Sequence, residues 1–260
     1  MKDNYFLVLG KSKRMLACAD RLNALGYAAV CREADEFEQS IKDFKNFILP
    51  LPSLKDGFIS GTNLTFEHFC SLLTEDCTVF CGNVSLQSFP CRAFSYYENE
   101  NFIAANSRLT AQGTLRLVLE NTEKDMNALK IAVIGYGRCG REICGLLKSS
   151  SADVIPFSRR TEAENDALKP DRTENISLRL NEFDIIINTV PCNIIDRDAL
   201  RRLTQDNIYI EIASEPYGFN TEDADDFNFR YIPAGGLPGR FTPVSAGSII
   251  ADTVISMIKE

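Results

Sequence analysis

A glycine-rich segment, IAVIGYGRCG at residues 131 to 140, carries the clearest chemical signal in the sequence. Its glycines have the spacing GxGxxG, directly after an apolar run and directly before the helical pattern REICGLLKS. In such a unit the first glycine makes a tight turn, the second lets backbone approach a pyrophosphate, and the third allows close packing of the helix. This context favours a bound dinucleotide over a glycine turn of purely structural use. The predicted loop residues are Gly135, Tyr136, Gly137, Arg138, Cys139 and Gly140.

The segment VIPFSRR at residues 154 to 160 indicates which dinucleotide is bound. Folds specific for NAD place Asp or Glu at the end of the second strand, where the carboxylate accepts hydrogen bonds from ribose hydroxyls. Here Ser158, Arg159 and Arg160 hold that place, and the nearest carboxylate, Asp153, precedes the strand. Because arginine offers fixed, paired donors to a phosphate, we predict NADP. The alternative is that the two arginines only solubilise a loop.

The nicotinamide end of the cofactor should lie against the chain at the end of the strand predicted at 184–190. We expect the backbone and small side chains there to line this part of the crevice. The residues predicted here are Asn188, Thr189, Val190, Pro191 and Ala213.

Two series of alternating apolar and amphipathic segments must position these residues. The first predicts strands at 5–10, 27–31, 44–52 and 77–82, with helical spacing between them and Thr65 capping one helix. The second follows a helix predicted at 109–122, whose apolar stripe is Leu115, Val118, Leu119 and Thr122. Its strands are predicted at 130–135, 154–158, 184–190, 207–213 and 229–233.

This pattern predicts two tandem α/β domains, each a doubly wound parallel sheet covered by helices on both faces. The N-terminal domain is predicted over 1–106 and the dinucleotide-binding domain over 107–244. The amphipathic segment 245–260 has no strand after it and is expected to pack back on the first domain.

Composition narrows the class of protein. A formal net charge of -8 argues against a nucleic-acid groove, which needs clustered cations. No apolar run approaches the roughly 18 residues of a membrane span, so we expect a cytoplasmic protein. Nine cysteines without CxxC spacing and a single His argue for reduced, packed thiols and against a metal site.

The chain resembles the dipicolinate synthase A family over nearly its full length. The matching segments are ILPLP (48–52), LTAQGTLRLVLENT (109–122) leading into the glycine loop, EIASEPYG (211–218) and PAGGLPGRFTPVSAGSIIADTV (233–254). The GLPG…P…AG pattern after the last strand is the most specific. The resemblance implies a flavodoxin-like N-terminal domain and a Rossmann C-terminal domain.

The resemblance also implies an activity, namely NADP-dependent oxidation of dihydrodipicolinate to pyridine-2,6-dicarboxylate in spore formers, together with a flavoprotein-like second subunit. Loss of hydride from a dihydropyridine gains aromaticity, so water or a weak base can take the proton and no strong catalytic dyad is required. The second domain contains no His, which fits this chemistry and weighs against a 2-hydroxyacid dehydrogenase. The catalytic base, if there is one, is not identified by the sequence.

A dicarboxylate substrate needs cationic and N–H partners, which we expect in a cleft between the domains. Arg14 matches an Arg of the family's GGDxR loop, although the loop here is GKSKR. The alternative for each arginine is a solvated surface charge. Thr110 begins the predicted helix and would either cap it or present N–H groups to a carboxylate. The predicted substrate residues are Arg14, Pro52, Arg108, Thr110, Gly236, Leu237, Pro238, Gly239 and Arg240.

Two departures from the family keep other functions open. Glu215 and Val244 stand where members usually carry basic residues. One alternative is an NADP-dependent dehydrogenase of another imino or hydroxy acid. The other is a non-catalytic NADP-binding subunit that senses redox state or supports a partner. A homodimer is expected from apolar positions on the 109–122 helix.

Overall fold

The computed structural model describes residues 5–32, 41–160, 168–221 and 228–259. The chain divides into two compact units. Unit 1 comprises Met1–Asn106 with Pro238–Glu260, and unit 2 comprises Ser107–Leu237. Within the described ranges no helix has the length and apolar character to cross a membrane.

Unit 1 is built on a five-stranded parallel sheet in the order β2-β1-β3-β6-β7. Its strands are β1 (Tyr5–Leu9), β2 (Ala28–Arg32), β3 (Asn46–Ile48), β6 (Thr78–Cys81) and β7 (Arg92–Ser95), with a hairpin of β4 (Leu54–Lys55) and β5 (Phe58–Ile59). Its helices are α1 (Lys13–Ala24), α2 (Phe66–Leu72), the first part of α3 (Glu100–Asn121), α7 (Leu237–Phe241, from Pro238 onwards) and α8 (Pro243–Lys259). Counting the five sheet strands alone, this is the flavodoxin-like order 2-1-3-4-5, as the resemblance predicted.

Unit 2 carries a six-stranded, fully parallel sheet in the order β10-β9-β8-β11-β12-β13. Its strands are β8 (Lys130–Ile134), β9 (Asp153–Ser158), β10 (Asp171–Arg172), β11 (Ile185–Asn188), β12 (Ile208–Glu211) and β13 (Arg230–Pro233). Its helices after α3 are α4 (Arg138–Ser149), α5 (Ile176–Arg179) and α6 (Arg197–Leu200). The order corresponds to 3-2-1-4-5-6, the Rossmann arrangement.

The central strands are buried on both faces, which explains their almost continuous apolar sequences. In β8, β11 and β12 every residue except Lys130 is buried. Two buried polar residues in these strands, Asn188 and Glu211, lie opposite each other at the strand ends. Both belong to the site described below.

The C-terminal helix α8 packs on α1 through a glycine. A methyl group on Gly247 would overlap the Arg14 carbonyl oxygen and lie 2.8 Å from the Cys18 amide nitrogen. An ion pair of 2.8 Å between Arg21 and Asp252 lies on the same helix pair. Because no side chain separates the helices at Gly247, their backbones approach directly there.

The helix predicted at 109–122 is longer than its apolar pattern indicated. It begins at Glu100, so Thr110 lies inside α3 and not at its N-terminus. The predicted stripe is confirmed at Val118, which is buried, and wrong at Leu119, which is 54% exposed, while Leu117 outside the stripe is buried. Leu117, Val118 and Leu119 are consecutive, and the pattern alone does not say which of them face the core. At Thr65, by contrast, the predicted cap is present and accepts a hydrogen bond from the His68 amide.

We expect Gly247→Ala and Gly145→Ala to change stability in opposite directions. Gly145 lies in the exposed interior of α4 with nothing within 4 Å of an added methyl group, so alanine should stabilise by about 0.5 to 1 kcal/mol. Alanine at Gly247 must push α8 from α1 and should destabilise by roughly 1 to 3 kcal/mol. Thermal and urea unfolding of both variants would measure this. Unfolding of the Gly247 variant at or above the wild-type temperature would contradict the close helix contact.

Candidate cofactor-binding site

The loop after β8 uses each glycine for a different geometric purpose. Gly135 has φ +97°, a conformation that side chains rarely adopt, and its amide donates to the Phe157 carbonyl over 2.8 Å. Gly137 is the N-cap of α4, and no atom lies within 4 Å of where its β-carbon would be. At Gly140 a methyl group would overlap the Gly135 carbonyl oxygen. The loop is thus tight at both ends and open in the middle, where a phosphate can approach backbone.

A cavity of about 1050 Å³ opens at this loop. It lies where the strand order of the sheet reverses, beyond the carboxyl ends of β8 and β11, the usual ligand position in open α/β sheets. Its lining residues are Gly135, Tyr136, Gly137, Arg138, Arg141, Ser158, Arg159, Arg160, Thr173, Val190, Pro191, Cys192 and Ile194.

The cavity brings together most of the residues predicted for the cofactor. The first four loop residues, the Ser158–Arg160 segment and the Val190–Pro191 pair all line it. The remaining predicted residues are Cys139, Gly140, Asn188, Thr189 and Ala213, and they are not among its lining residues.

Those five residues support the lining from behind. The Thr189 hydroxyl donates to the Ile134 carbonyl over 2.8 Å. Cys139 lies against Thr110 in unit 2, and burial raises the pKa of its thiol to about 11. The Ala213 amide donates to Glu211 over 3.0 Å, so its N–H is already used.

The lining of the cavity is strongly cationic. Four arginines, Arg138, Arg141, Arg159 and Arg160, line it, and none of the described lining residues is a carboxylate. Asp153, the first residue of β9, lies at the opposite end of that strand from Ser158. Arg141 is placed by Tyr136, over whose ring its guanidinium carbon lies at 5.2 Å and whose carbonyl accepts from its Nε.

Sequence reasoning missed four lining residues, which are Arg141, Thr173, Cys192 and Ile194. Arg141 follows Arg138 by three residues, a spacing that places both on one side of a helix and could have been recognised. Thr173 follows the two-residue strand β10, which has no apolar run to mark it. Cys192 is exposed, unlike the packed thiols expected from the sequence.

A buried carboxylate, Glu211, holds the loops behind the cavity. It is 1% exposed and accepts hydrogen bonds from Asn188 Nδ2 at 2.8 and 3.1 Å, from the Gly218 amide at 2.9 Å and from the Ala213 amide at 3.0 Å. These donors lower the pKa of Glu211, but burial outweighs them and raises it to about 7.

The hydrogen bonds of Glu211 continue to the cavity wall. Asn188 also donates to the Val190 carbonyl and accepts from the Val190 amide, at 2.9 and 3.1 Å. The Gly218 carbonyl accepts from the amides of Ile194 and Ile195. One carboxylate therefore fixes both ends of the segment 190–194, which forms part of the cavity lining. A charged residue in the apolar strand sequence IYIEIA was the available signal for it.

The residues predicted for the substrate lie in both units. In unit 1, Arg14 is buried, while Pro52 and Arg240 are exposed. Pro238 is buried, and Gly239 lies next to the Arg14 guanidinium.

In unit 2, Arg108 and Gly236 are exposed and Leu237 is buried. Thr110 lies within α3, where its carbonyl accepts from the Thr114 hydroxyl at 2.9 Å. Its predicted use as a helix N-terminus that offers N–H groups is therefore wrong, because the helix begins ten residues earlier, at Glu100.

The raised pKa of Glu211 makes stability depend on pH. Between about 4.3, its usual value, and about 7 the folded chain holds more of this proton than the unfolded chain, so stability falls as pH rises. We expect the unfolding free energy of wild type minus that of Glu211→Gln to fall from pH 5 to 7, with a slope of at most about 1.4 kcal/mol per pH unit, and to level off by pH 8. Urea unfolding at each pH measures this, and parallel profiles for the two proteins would contradict it.

Comparison with known proteins agrees with this geometry. Residues 100–215 match the family model of the D-isomer specific 2-hydroxyacid dehydrogenase NAD binding domain. The A subunit of Bacillus subtilis dipicolinate synthase is 27% identical over 194 residues, which cover 71% of this chain and 65% of that protein. The matched segment thus spans slightly less than two thirds of the curated relative. These matches support a nicotinamide-binding oxidoreductase.

Two solved structures share the fold from end to end. The A subunit of Bacillus halodurans dipicolinate synthase has a TM-score of 0.84 and 20% identity, covering 100% of this chain and 99% of that one. Its Bacillus subtilis counterpart has a TM-score of 0.81 and 22% identity, covering 98% and 95%. This chain is thus similar to the dipicolinate synthase A proteins in sequence over 194 residues and in fold along its whole length.

Proposed function

We propose that the protein oxidises dihydrodipicolinate to dipicolinate with NADP, as the A subunit of a dipicolinate synthase. The observation that carries the proposal is a cavity that joins the glycine loop to Ser158, Arg159 and Arg160. The sequence and fold of the named relatives support the substrate.

The choice of NADP rests on charge at the end of β9. A 2′-phosphate there would meet two guanidinium groups and the Ser158 hydroxyl, which already accepts from the Arg160 amide at 3.2 Å. An NAD ribose would need a carboxylate at the same place, and the described lining offers none. The arginine fork matches phosphate geometry and makes charge-assisted hydrogen bonds.

The remaining lining residues suit the rest of the cofactor. Gly137 leaves the first N–H groups of α4 open to the pyrophosphate, with no side-chain cap competing for them. On the opposite side, Val190, Pro191 and Ile194 form an apolar wall suited to the nicotinamide ring. Such a wall excludes water from the place where a hydride is transferred.

The chemistry requires little of the protein beyond positioning. NADP supplies the hydride acceptor when bound, and the substrate loses one hydride and one proton to become an aromatic pyridine. Because aromatisation drives the proton loss, water can accept the proton. The chain then has to hold the substrate's two carboxylates, for which we propose Arg14 and Arg240 of unit 1.

The two departures from the family pattern fall on surface positions. Glu215 is exposed, with the Tyr217 hydroxyl 3.3 Å from its carboxylate, and Val244 is 67% exposed near the start of α8. Neither replaces a buried charge, so we infer that the substrate can still be dihydrodipicolinate. We also propose a second subunit, because the named relatives are A subunits, and the family resemblance implies that this partner is flavoprotein-like. We further propose a homodimer through a surface that includes the exposed Leu119 of α3.

One other function has a specific observation in its favour. The match of residues 100–215 to a 2-hydroxyacid dehydrogenase domain fits an NADP-dependent dehydrogenase of another small acid. A hydroxyl proton must leave with the hydride in that reaction, and unit 2 contains no His to take it. We therefore favour the dihydropyridine substrate.

Replacing Arg159 and Arg160 together with Ala should weaken NADP binding while leaving NAD nearly unaffected. Hydrogen bonds to charged groups contribute about 1.5 to 3 kcal/mol each, so we expect at least a tenfold loss for NADP. Calorimetric titration with each cofactor measures the two affinities. Arg201→Ala, an exposed arginine paired with Asp198 and outside the cavity lining, is the control. Equal losses for both cofactors would contradict the 2′-phosphate site.

The reaction itself is tested by mixing the protein with NADP and freshly generated dihydrodipicolinate, with and without the second subunit. We expect absorbance in the NADPH band to grow, and to fail to grow in a Gly137→Val variant, whose side chain would fill the phosphate approach. No growth under either condition, with NADP binding intact, would exclude this substrate.

A further inference from the structure

Arg14 is a buried cation in unit 1 that lacks a full set of partners. It is the second residue of α1, directly after the turn that follows β1, and it is 7% exposed. Its Nη1 donates to the Leu51 carbonyl, beyond the end of β3, over 2.9 Å. Since the strand order of this sheet reverses between β1 and β3, Arg14 lies at the position where flavodoxin-like sheets bind ligands.

One edge of the Arg14 guanidinium has no acceptor. Nε is buried and makes no hydrogen bond. Within the described residues Arg14 forms no ion pair, and the side chains that act on its charge are Tyr97 and Tyr96, neither of them a carboxylate. Because Nη1 is occupied by Leu51, the edge formed by Nε and Nη2 is the part left for another acceptor.

Gly239 lies over the face of this guanidinium. A methyl group on Gly239 would be 3.2 Å from Cζ and 3.3 Å from both Nε and Nη2. A methyl group in the plane of the guanidinium, beyond its Nε–Nη2 edge, would be farther from Cζ than from the two nitrogens. Because the three distances are nearly equal, the methyl position lies above the plane. The missing side chain of Gly239 therefore lets α7 pack against the face of the cation.

A buried, half-satisfied guanidinium destabilises a fold unless something else supplies its partner. The parallel Nε–H and Nη2–H bonds match the two oxygens of a carboxylate. The positive dipole end of α1, a helix of 12 residues whose N-terminus Ser12 caps, adds to the attraction for an anion. All of these features belong to unit 1 and are independent of the cofactor cavity.

We propose that Arg14 binds a carboxylate of a small organic acid through its Nε–Nη2 edge, with Gly239 packed on the face of the guanidinium. This deepens the proposed function, on which the choice of organic acid rests. The Leu51 carbonyl fixes the orientation of the fork, so the carboxylate position is set before the ligand arrives.

The test is calorimetric titration of the full chain with pyridine-2,6-dicarboxylate in the presence of NADP. Arg14→Met should weaken this binding at least tenfold, leave NADP affinity unchanged, and leave the melting temperature equal or higher, because an unpaired buried cation is removed. Arg14→Lys keeps the charge without the planar fork and should also bind more weakly than wild type. Arg92→Met is the matched control, since Arg92 is an exposed arginine of unit 1 stacked on Phe94.

The outcomes separate this site from the proposed reaction. Unchanged dicarboxylate binding in both Arg14 variants would overturn the site, as would wild-type binding of inorganic phosphate in preference to the dicarboxylate. A lower melting temperature with parallel losses of both ligands would mean a structural role and would also overturn it. If the dicarboxylate binding depends on Arg14 but dihydrodipicolinate is not oxidised, the carboxylate site stands and the proposed reaction fails.

Discussion

The cavity depends on close contacts that the turn after β8 makes, and these contacts are possible only because its glycines have no side chain. The Gly135 carbonyl meets the α-carbon of Gly140 so closely that no β-carbon fits between them. On its other side, a methyl group on Gly135 would overlap the Thr189 hydroxyl and come within 2.7 Å of Val190. The turn after β8 is thus held between its own helix and the chain after β11, which places the two walls of the cavity.

Two buried ionisable groups, Glu211 and Arg14, differ in how many hydrogen-bond partners offset the cost of their burial. Glu211 is surrounded by N–H donors, and those donors belong to the segments that shape the cavity. These donors offset part of the cost of burying Glu211 and hold the segments in place. Arg14 is compensated at Nη1 and not at Nε. That difference is why Glu211 is interpreted as a positioning residue and Arg14 as a binding residue.

The same supersecondary unit serves the two sheets differently. In each unit the first strand ends at a glycine with positive φ, Gly10 or Gly135, and a helix of 12 residues follows. Ser12 caps α1 with its hydroxyl, which accepts from the Met15 amide at 3.3 Å. Gly137 gives α4 no such cap, so its first N–H groups stay available to phosphate. One residue type at the cap changes what the helix N-terminus can bind.

The sequence by itself determined the parts that depend on local chemistry. The alternation of apolar runs and helical patterns predicted two parallel-sheet units, and GxGxxG with FSRR predicted the residues that line the phosphate end of the cavity. These signals are readable because strand burial, turn geometry and charge are properties of neighbouring residues.

Only the tertiary structure decided which apolar residues of α3 are buried, that Thr110 is internal to it, and that Glu211 and Asn188 meet across two strands. It also left Arg14 without a partner at Nε. Such pairings join residues from 23 to 37 positions apart, and no local pattern fixes which partners the folded chain will supply.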